Sequence, residues 1–204
     1  MMKGLYLVTP DWDDTQKMLD ATEAGLRGGA SLVQYRHKTA DAALRKEQAA
    51  ALLDLCRRHD TPLIVNDHVE LCIELDADGI HVGGTDRGVD AVRAAVGPGK
   101  IVGASCYGNL ELAREAHAKG ASYVAFGGFY PSRVKKYEVA TSPSIVAESK
   151  SSIALPVVVI GGMTPENAAP LVAQGADMVA AISSVYMSED PEAAARRFAA
   201  LFQI

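Results

Sequence analysis

Cysteine is scarce, aromatic residues are few and long apolar runs are missing. Three cysteines, Cys56, Cys72 and Cys106, form an odd set without CxxC spacing. That excludes a disulfide framework or a zinc ribbon and makes them reduced, mostly as small buried apolar residues. No apolar stretch reaches the roughly 20 residues that span a bilayer, and the N-terminal residues lack a signal-peptide core, so a cytoplasmic protein with no membrane partner is expected. Neither sign of charge dominates: Lys and Arg number 20 against 25 Asp and Glu, a net charge of −5. Such a balance gives no overall attraction for nucleic acid, so any anionic ligand must be held by a local cationic cluster. The five histidines show no HxH or HExxH spacing, and none is assigned as a metal ligand. His59 and His117 fall on helical patterns as surface residues, and His81 lies in a strand as a candidate satisfied barrel histidine.

What is present is apolar and regular. Of 204 residues, 49% are hydrophobic, enough for a sizeable core in one domain spanning residues 1–204. Short β-branched runs predict strands at Leu5 to Thr9, Leu32 to Arg36, Leu63 to Asp67, Gly79 to Gly83, Ile101 to Cys106, Tyr123 to Gly127, Val157 to Gly161 and Met178 to Ser183. Helical patterns lie between and after them, at Thr15 to Arg27, Asp41 to Arg58, His68 to Leu75, Gly88 to Val96, Leu110 to Lys119, Ser144 to Ser151, Pro165 to Gln174 and Pro191 to Phe202. Pro170 inside the seventh of these conflicts with helix continuity.

Eight strand–helix units imply a parallel sheet covered by helices. A closed barrel and an open doubly wound sheet both fit such alternation, and the count of eight without GxGxxG after the first strand favours a (β/α)8 TIM barrel. The 18 glycines, against 12 aromatics, support that reading. Arg27-Gly28-Gly29-Ala30-Ser31, Lys119-Gly120-Ala121-Ser122 and Gln174-Gly175-Ala176-Asp177 each end a helix on glycine and enter a strand, with Asp76-Ala77-Asp78-Gly79 as a looser copy.

In a barrel, the C-terminal strand ends share one mouth. Strand two ends Gln34-Tyr35-Arg36-His37-Lys38, where alternation puts Gln34, Arg36 and Lys38 on one side as anion binders; the alternative is salt bridging to Asp67 at a solvated strand end. Asp67 and Asp86, from adjacent strands, form a hard-oxygen pair suited to Mg²⁺, although either also suits a loop cap. Gly161, Gly162 and Ser183 after strands seven and eight form a candidate phosphate cradle. Ser105 is a candidate phosphate donor; Cys106 lacks a dedicated base and is not read as a nucleophile. The segment from Tyr130 to Ser142, carrying Ser132, Arg133, Lys135, Lys136 and Thr141, is read as a mobile lid or else a disordered insertion. Two anion sites and a divalent metal point to group transfer off a diphosphate; a Schiff-base lyase using Lys38 or Lys135 is the alternative.

The ordered set Gly4-Leu5-Tyr6-Leu7-Val8-Thr9-Pro10, Gln34-Tyr35-Arg36-His37-Lys38, Leu63-Ile64-Val65-Asn66-Asp67, His81-Val82-Gly83-Gly84-Thr85-Asp86, Gly103-Ala104-Ser105, Tyr123-Val124-Ala125-Phe126-Gly127, Ile160-Gly161-Gly162 and Ala181-Ile182-Ser183 resembles the thiamine phosphate synthase family over essentially the whole chain. The resemblance implies a transferase of thiamine biosynthesis, joining 4-amino-2-methyl-5-hydroxymethylpyrimidine diphosphate to 4-methyl-5-(2-phosphoethyl)thiazole with release of pyrophosphate. It implies that Gln34, Arg36, Lys38, Asn66 and Ser105 hold the pyrimidine diphosphate and that Asp67 and Asp86 bind Mg²⁺. It also implies that Gly162, Ile182 and Ser183 hold the thiazole phosphate. Ser132 corresponds to a family Thr on that side, and Lys135 to the lysine on the diphosphate; Lys135, Arg36 and Ser105 are the expected catalytic set. Gly84 stands where the family usually has Gln, and Val134 where it has Thr, leaving a reduced-activity paralogue or a phosphate-binding barrel as alternatives. Tyr107 stands where the related thiazole tautomerase carries its His, which speaks against that activity. A homo-oligomer is left open.

Overall fold

The computed structural model describes residues 2–83, 88–131 and 141–203. Its strands are β1 (Gly4–Val8), β2 (Ala30–Tyr35), β3 (Leu63–Asn66), β4 (Gly79–Val82), β5 (Ile101–Tyr107), β6 (Tyr123–Phe126), β7 (Val157–Val159) and β8 (Met178–Ala181). Each pairs in parallel with the next, and β8 closes on β1, so the sheet is a closed barrel. The helices are α1 (Thr15–Arg27), α2 (Ala42–Arg58), α3 (Val69–Glu74), α4 (Val89–Val96), α5 (Leu110–Ala118), α6 (Ser144–Ser152), α7 (Pro165–Ala173), α8 (Ser183–Tyr186) and α9 (Pro191–Ala199), with a 3₁₀ turn at Ala200–Phe202. The expected (β/α)8 TIM barrel is therefore the observed architecture.

Alternation along the strands divides the core in two. Outward residues such as Leu5, Leu7, Val33, Val65, Ile80, Val124 and Val179 pack under the helices. Inward residues, among them Tyr6, Leu32, Ile64, Tyr123, Val158 and Met178, fill the barrel itself. This is the period-2 pattern of a sheet buried on both faces, and it explains why the strands read as nearly continuous apolar runs.

The glycine repeat ends helices as expected. Gly29, Gly120 and Gly175 have φ of 99°, 93° and 106°, and in the looser copy Asp76 takes that conformation at φ 52°. The polar residue that follows has a second use. Asp78 accepts from the Leu63 amide at 2.8 Å, Ser122 from Val102 at 3.0 Å and Asp177 from Val157 at 2.7 Å, while Ser31 donates to the Lys3 carbonyl at 2.9 Å. Every even strand is thus stitched to the odd strand before it at the N-terminal rim.

Three expectations need correction. Strand seven stops at Val159, with Gly161 beyond it in the left-handed region at φ 103°. Strand eight stops at Ala181, and Ser183 is not a strand residue but opens α8, because Ile182 turns to φ −115° and ψ −88°. Strand three stops at Asn66, because Asp67 sits in the left-handed region at φ 63°. Pro170 is accommodated inside α7: the helix has Pro165 at its start and a capping box between Thr164 and Asn167, and Pro170 is exposed. Glu166, whose carbonyl would bond a donor that Pro170 lacks, is itself an exposed residue.

Candidate functional site

The mouth is assembled from strand ends, beginning with charge. Arg36, buried just past β2, places Nη1 3.2 Å from Asp11 Oδ1, which also accepts from the Lys38 backbone amide at 2.8 Å. Thr9 holds the same segment at both polar atoms, donating to the Arg36 carbonyl at 2.9 Å and accepting from the Arg36 amide at 2.8 Å. The Lys38 ammonium donates to Asp67, whose Oδ2 also accepts from Asn66 Nδ2 at 2.8 Å. Arg36, Lys38, Asn66 and Asp67 are therefore brought into one band of alternating charge along the ends of β1, β2 and β3. Salt bridging of Lys38 to Asp67, the alternative to anion binding, is realised in this state. Asp11 was missed by sequence reasoning; its only signal was an acidic residue three positions past the end of β1.

The left-handed Asp67 backbone, with its amide donating to the His81 carbonyl at 2.9 Å, turns the carboxylate out of the strand pattern. That carboxylate already draws a cation, Lys38, and its side chain is 22% exposed. A hard anionic oxygen in such surroundings fits Mg²⁺, which takes one or two carboxylates plus phosphate oxygens. Among the described residues no cluster of three His, Cys, Asp or Glu could hold a metal. Asp86 lies outside the described residues, as do Gly84, Ser132, Arg133, Val134, Lys135 and Lys136, and with them residues 132–140 of the expected lid, whereas Thr141 at its far end is buried and donates to the Gly127 carbonyl.

Gln34 and Ser105 point into the barrel and are joined through its interior. Gln34 Nε2 donates to Tyr6 Oη at 2.7 Å, Tyr6 Oη lies 2.7 Å from Tyr123 Oη, Tyr123 Oη 2.8 Å from His81 Nδ1, and His81 Nε2 2.8 Å from Ser105 Oγ. His81 is thus the satisfied barrel histidine expected. Tyr6 and Tyr123 were not singled out from sequence, because a tyrosine inside a strand carries no signal of what its hydroxyl will meet. Cys106 is buried, and burial pushes its thiol up to about 12, which agrees with its exclusion as a nucleophile.

On the far side, Gly161 and Gly162 have φ of 103° and 63°. A side chain at Gly162 would run into the Pro131 carbonyl, so this glycine admits the neighbouring loop as well as the turn. Asn167, at the start of α7, donates from Nδ2 to the Gly162 carbonyl at 2.9 Å, and its own carbonyl accepts from Tyr130 Oη at 2.9 Å. Ile182 is buried at the end of β8, and Ser183 beside it is half-buried. Gly162, Ile182 and Ser183 thus lie at the ends of adjacent strands, as expected.

The model of the thiamine monophosphate synthase family matches residues 5–185. A thiamine-phosphate synthase of Janthinobacterium sp. (strain Marseille) is 66% identical over 201 residues, covering 98% of this chain and 97% of the relative. One from Methylobacillus flagellatus is 49% identical, with 98% and 96% covered. Among solved structures, a thiamine phosphate pyrophosphorylase from Pyrococcus furiosus superposes with a TM-score of 0.87 at 30% identity, covering 99% of this chain and 96% of that one. A 3-hexulose-6-phosphate synthase, at TM-score 0.72 and 18% identity, shares the fold. With its motifs in order along the barrel and a family model spanning most of its length, the chain belongs to the thiamine monophosphate synthase family.

Proposed function

We propose that this protein joins 4-amino-2-methyl-5-hydroxymethylpyrimidine diphosphate to 4-methyl-5-(2-phosphoethyl)thiazole, giving thiamine phosphate and pyrophosphate. The observation that carries the proposal is the charged band Arg36, Asp11, Lys38, Asp67 and Asn66 at the mouth of a barrel of this family. The bond between the pyrimidine methylene and the diphosphate breaks with its electron pair going to the diphosphate. The thiazole nitrogen lone pair then forms the new carbon–nitrogen bond. No proton need move, so catalysis consists of positioning and of stabilising charge.

Within this reading, Arg36 and Lys38 hold the departing diphosphate, exchanging Asp11 and Asp67 for phosphate oxygens, and Lys135 adds a third cation. Gln34, Asn66 and Ser105 hold the pyrimidine, while Gly162, Ile182, Ser183 and Ser132 hold the thiazole phosphate. Asp67 with Asp86 would hold Mg²⁺, which when bound supplies positive charge to the leaving pyrophosphate. Lys38 does not favour the imine-forming alternative: its side chain is 51% exposed and engaged with Asp67, unlike an amine desolvated in an apolar pocket. Small-molecule substrates and a cytoplasmic location follow from the same reading. No helix among the described residues is long and apolar enough to cross a membrane.

Incubation of the purified protein with both substrates and Mg²⁺ should yield thiamine phosphate and pyrophosphate in equal amounts. Asp67→Ala and Lys135→Ala should each lower kcat/KM by about a hundredfold or more, in the range that removal of a group stabilising transition-state charge produces. No product from the wild type, or full activity in both variants, would overturn the assignment.

A further inference from the structure

The chain of hydrogen bonds beneath the mouth has a direction. The Gln34 Nε2 group can only donate, so Tyr6 Oη accepts there. Tyr6 is 1% exposed and Tyr123 fully buried, so neither phenol proton has water to turn to. The Tyr6 proton therefore goes to Tyr123, and the Tyr123 proton to His81 Nδ1. An imidazole that accepts at Nδ1 while neutral carries its proton on Nε2, and donates it to Ser105 Oγ. Ser105 is left with its own hydroxyl proton for the mouth, and Gln34 with its carbonyl oxygen. Burial also pushes both phenols far above the ordinary tyrosine range, so both keep their protons.

The packing around this chain is built for it. Tyr6 and Tyr123 meet edge to face with ring centroids 5.9 Å apart, and His81 stacks on Tyr123 at 5.6 Å. Gly103, directly beside Tyr123 in the β5–β6 register, leaves the space its phenol fills; a Cβ there would run into the end of the Tyr123 ring. Satisfying buried polar atoms alone would not require five strands to contribute, nor a chain that ends at both sides on mouth residues.

We propose that Tyr6, Tyr123 and His81 are positioning residues. They form a one-way relay that fixes Gln34 as an acceptor and Ser105 as a donor, and so select a heterocycle edge that offers a donor to Gln34 and an acceptor to Ser105. An exocyclic amine beside an unprotonated ring nitrogen has that pattern, and the inference rests on the pyrimidine assignment made above. An edge with a carbonyl and a ring N–H sets its carbonyl oxygen against the Gln34 oxygen and can use Ser105 only through its remaining lone pair, and a mispaired polar group of that kind is how a polar site rejects a close analogue.

The direction is tested in wild-type protein by long-range ¹H–¹⁵N correlation spectra of the histidine rings, with His81 assigned by selective substitution. The expected result is a neutral His81 protonated on Nε2 with Nδ1 as acceptor; the opposite tautomer overturns the relay. In parallel, Tyr123→Phe should lower the preference for the amino substrate over its 4-oxo analogue by about tenfold, the loss of one hydrogen bond. The KM for the thiazole phosphate should not change. An unchanged preference ratio overturns the proposal, and Tyr6→Phe gives the same reading should Tyr123→Phe fail to fold. If wild type forms no thiamine phosphate, the function assigned above falls, while the tautomer still decides the relay.

Discussion

Burial pushes the thiols of Cys56 and Cys106 up from 9.0 to about 12, and that of Cys72 to about 11. Below pH 9.0 each is protonated whether the chain is folded or not, and stability is unaffected. Above it the unfolded chain gives up protons that the native protein keeps, so the native state loses about 1.4 kcal/mol per pH unit for each thiol. Denaturation midpoints measured under reducing conditions should therefore fall steadily from about pH 9 towards about pH 11. A thiol reagent at neutral pH should label the three cysteines only after unfolding. Their inertness was legible in the sequence, since odd number and spacing excluded a disulfide framework or zinc ribbon and Cys106 had no dedicated base. His81 was legible in the same way, as a polar residue at an inward strand position. Asp11 was not, because its partner Arg36 lies 25 residues on and only closure of β1 against β2 brings them together.

Element boundaries were legible to within a residue or two wherever a cap or a glycine marks them. α1 starts after Asp14, α5 after Asn109 and α9 after Asp190, each accepting a backbone amide from the first turn. The misplaced end of β8 had no such mark: Ser183 follows apolar residues without a break, and only the turn at Ile182 separates strand from helix. The start of α7 carries more than a cap. Asn167 Oδ1 accepts from the Thr164 amide at 2.8 Å, while Nδ2 holds the Gly162 carbonyl, so one side chain ties the helix to the proposed thiazole-phosphate side. Asn167→Ala should cost about 1 kcal/mol of stability, as cap losses do, and also raise the KM for the thiazole phosphate severalfold. Asp190→Ala, a comparable cap loss on α9, should cost similar stability with both KM values unchanged. Melting curves alongside steady-state kinetics for the two variants check the contrast.

At the scale of the barrel, the fourfold stitching at the N-terminal rim separates stability from chemistry. Asp177→Ala leaves the Val157 amide without its acceptor and removes the 2.8 Å ion pair with Lys150. It should cost roughly 1–3 kcal/mol, the range for a deprived buried donor, and leave kcat/KM at the wild-type value. Chemical denaturation and the substrate assay measure the two sides of that expectation. The closed barrel was legible from eight units and their glycine ends, whereas the stitching was not, because Ser31, Asp78, Ser122 and Asp177 read as ordinary turn residues until the odd strands lie beside them.

That stitching also partitions the barrel into quarters, each a stitched strand pair. Three of them, β1 with β2, β3 with β4 and β5 with β6, carry Tyr6, Gln34, Asn66, Asp67, His81, Ser105 and Tyr123. The fourth, β7 with β8, carries Gly162, Ile182 and Ser183 and no member of the relay. The β7–β8 quarter is therefore separable from the relay: a β7–β8 quarter grafted from another barrel of this fold would exchange Gly162, Ile182 and Ser183 on the proposed thiazole-phosphate side, while Ser132 and the proposed pyrimidine contacts would stay with the other three quarters.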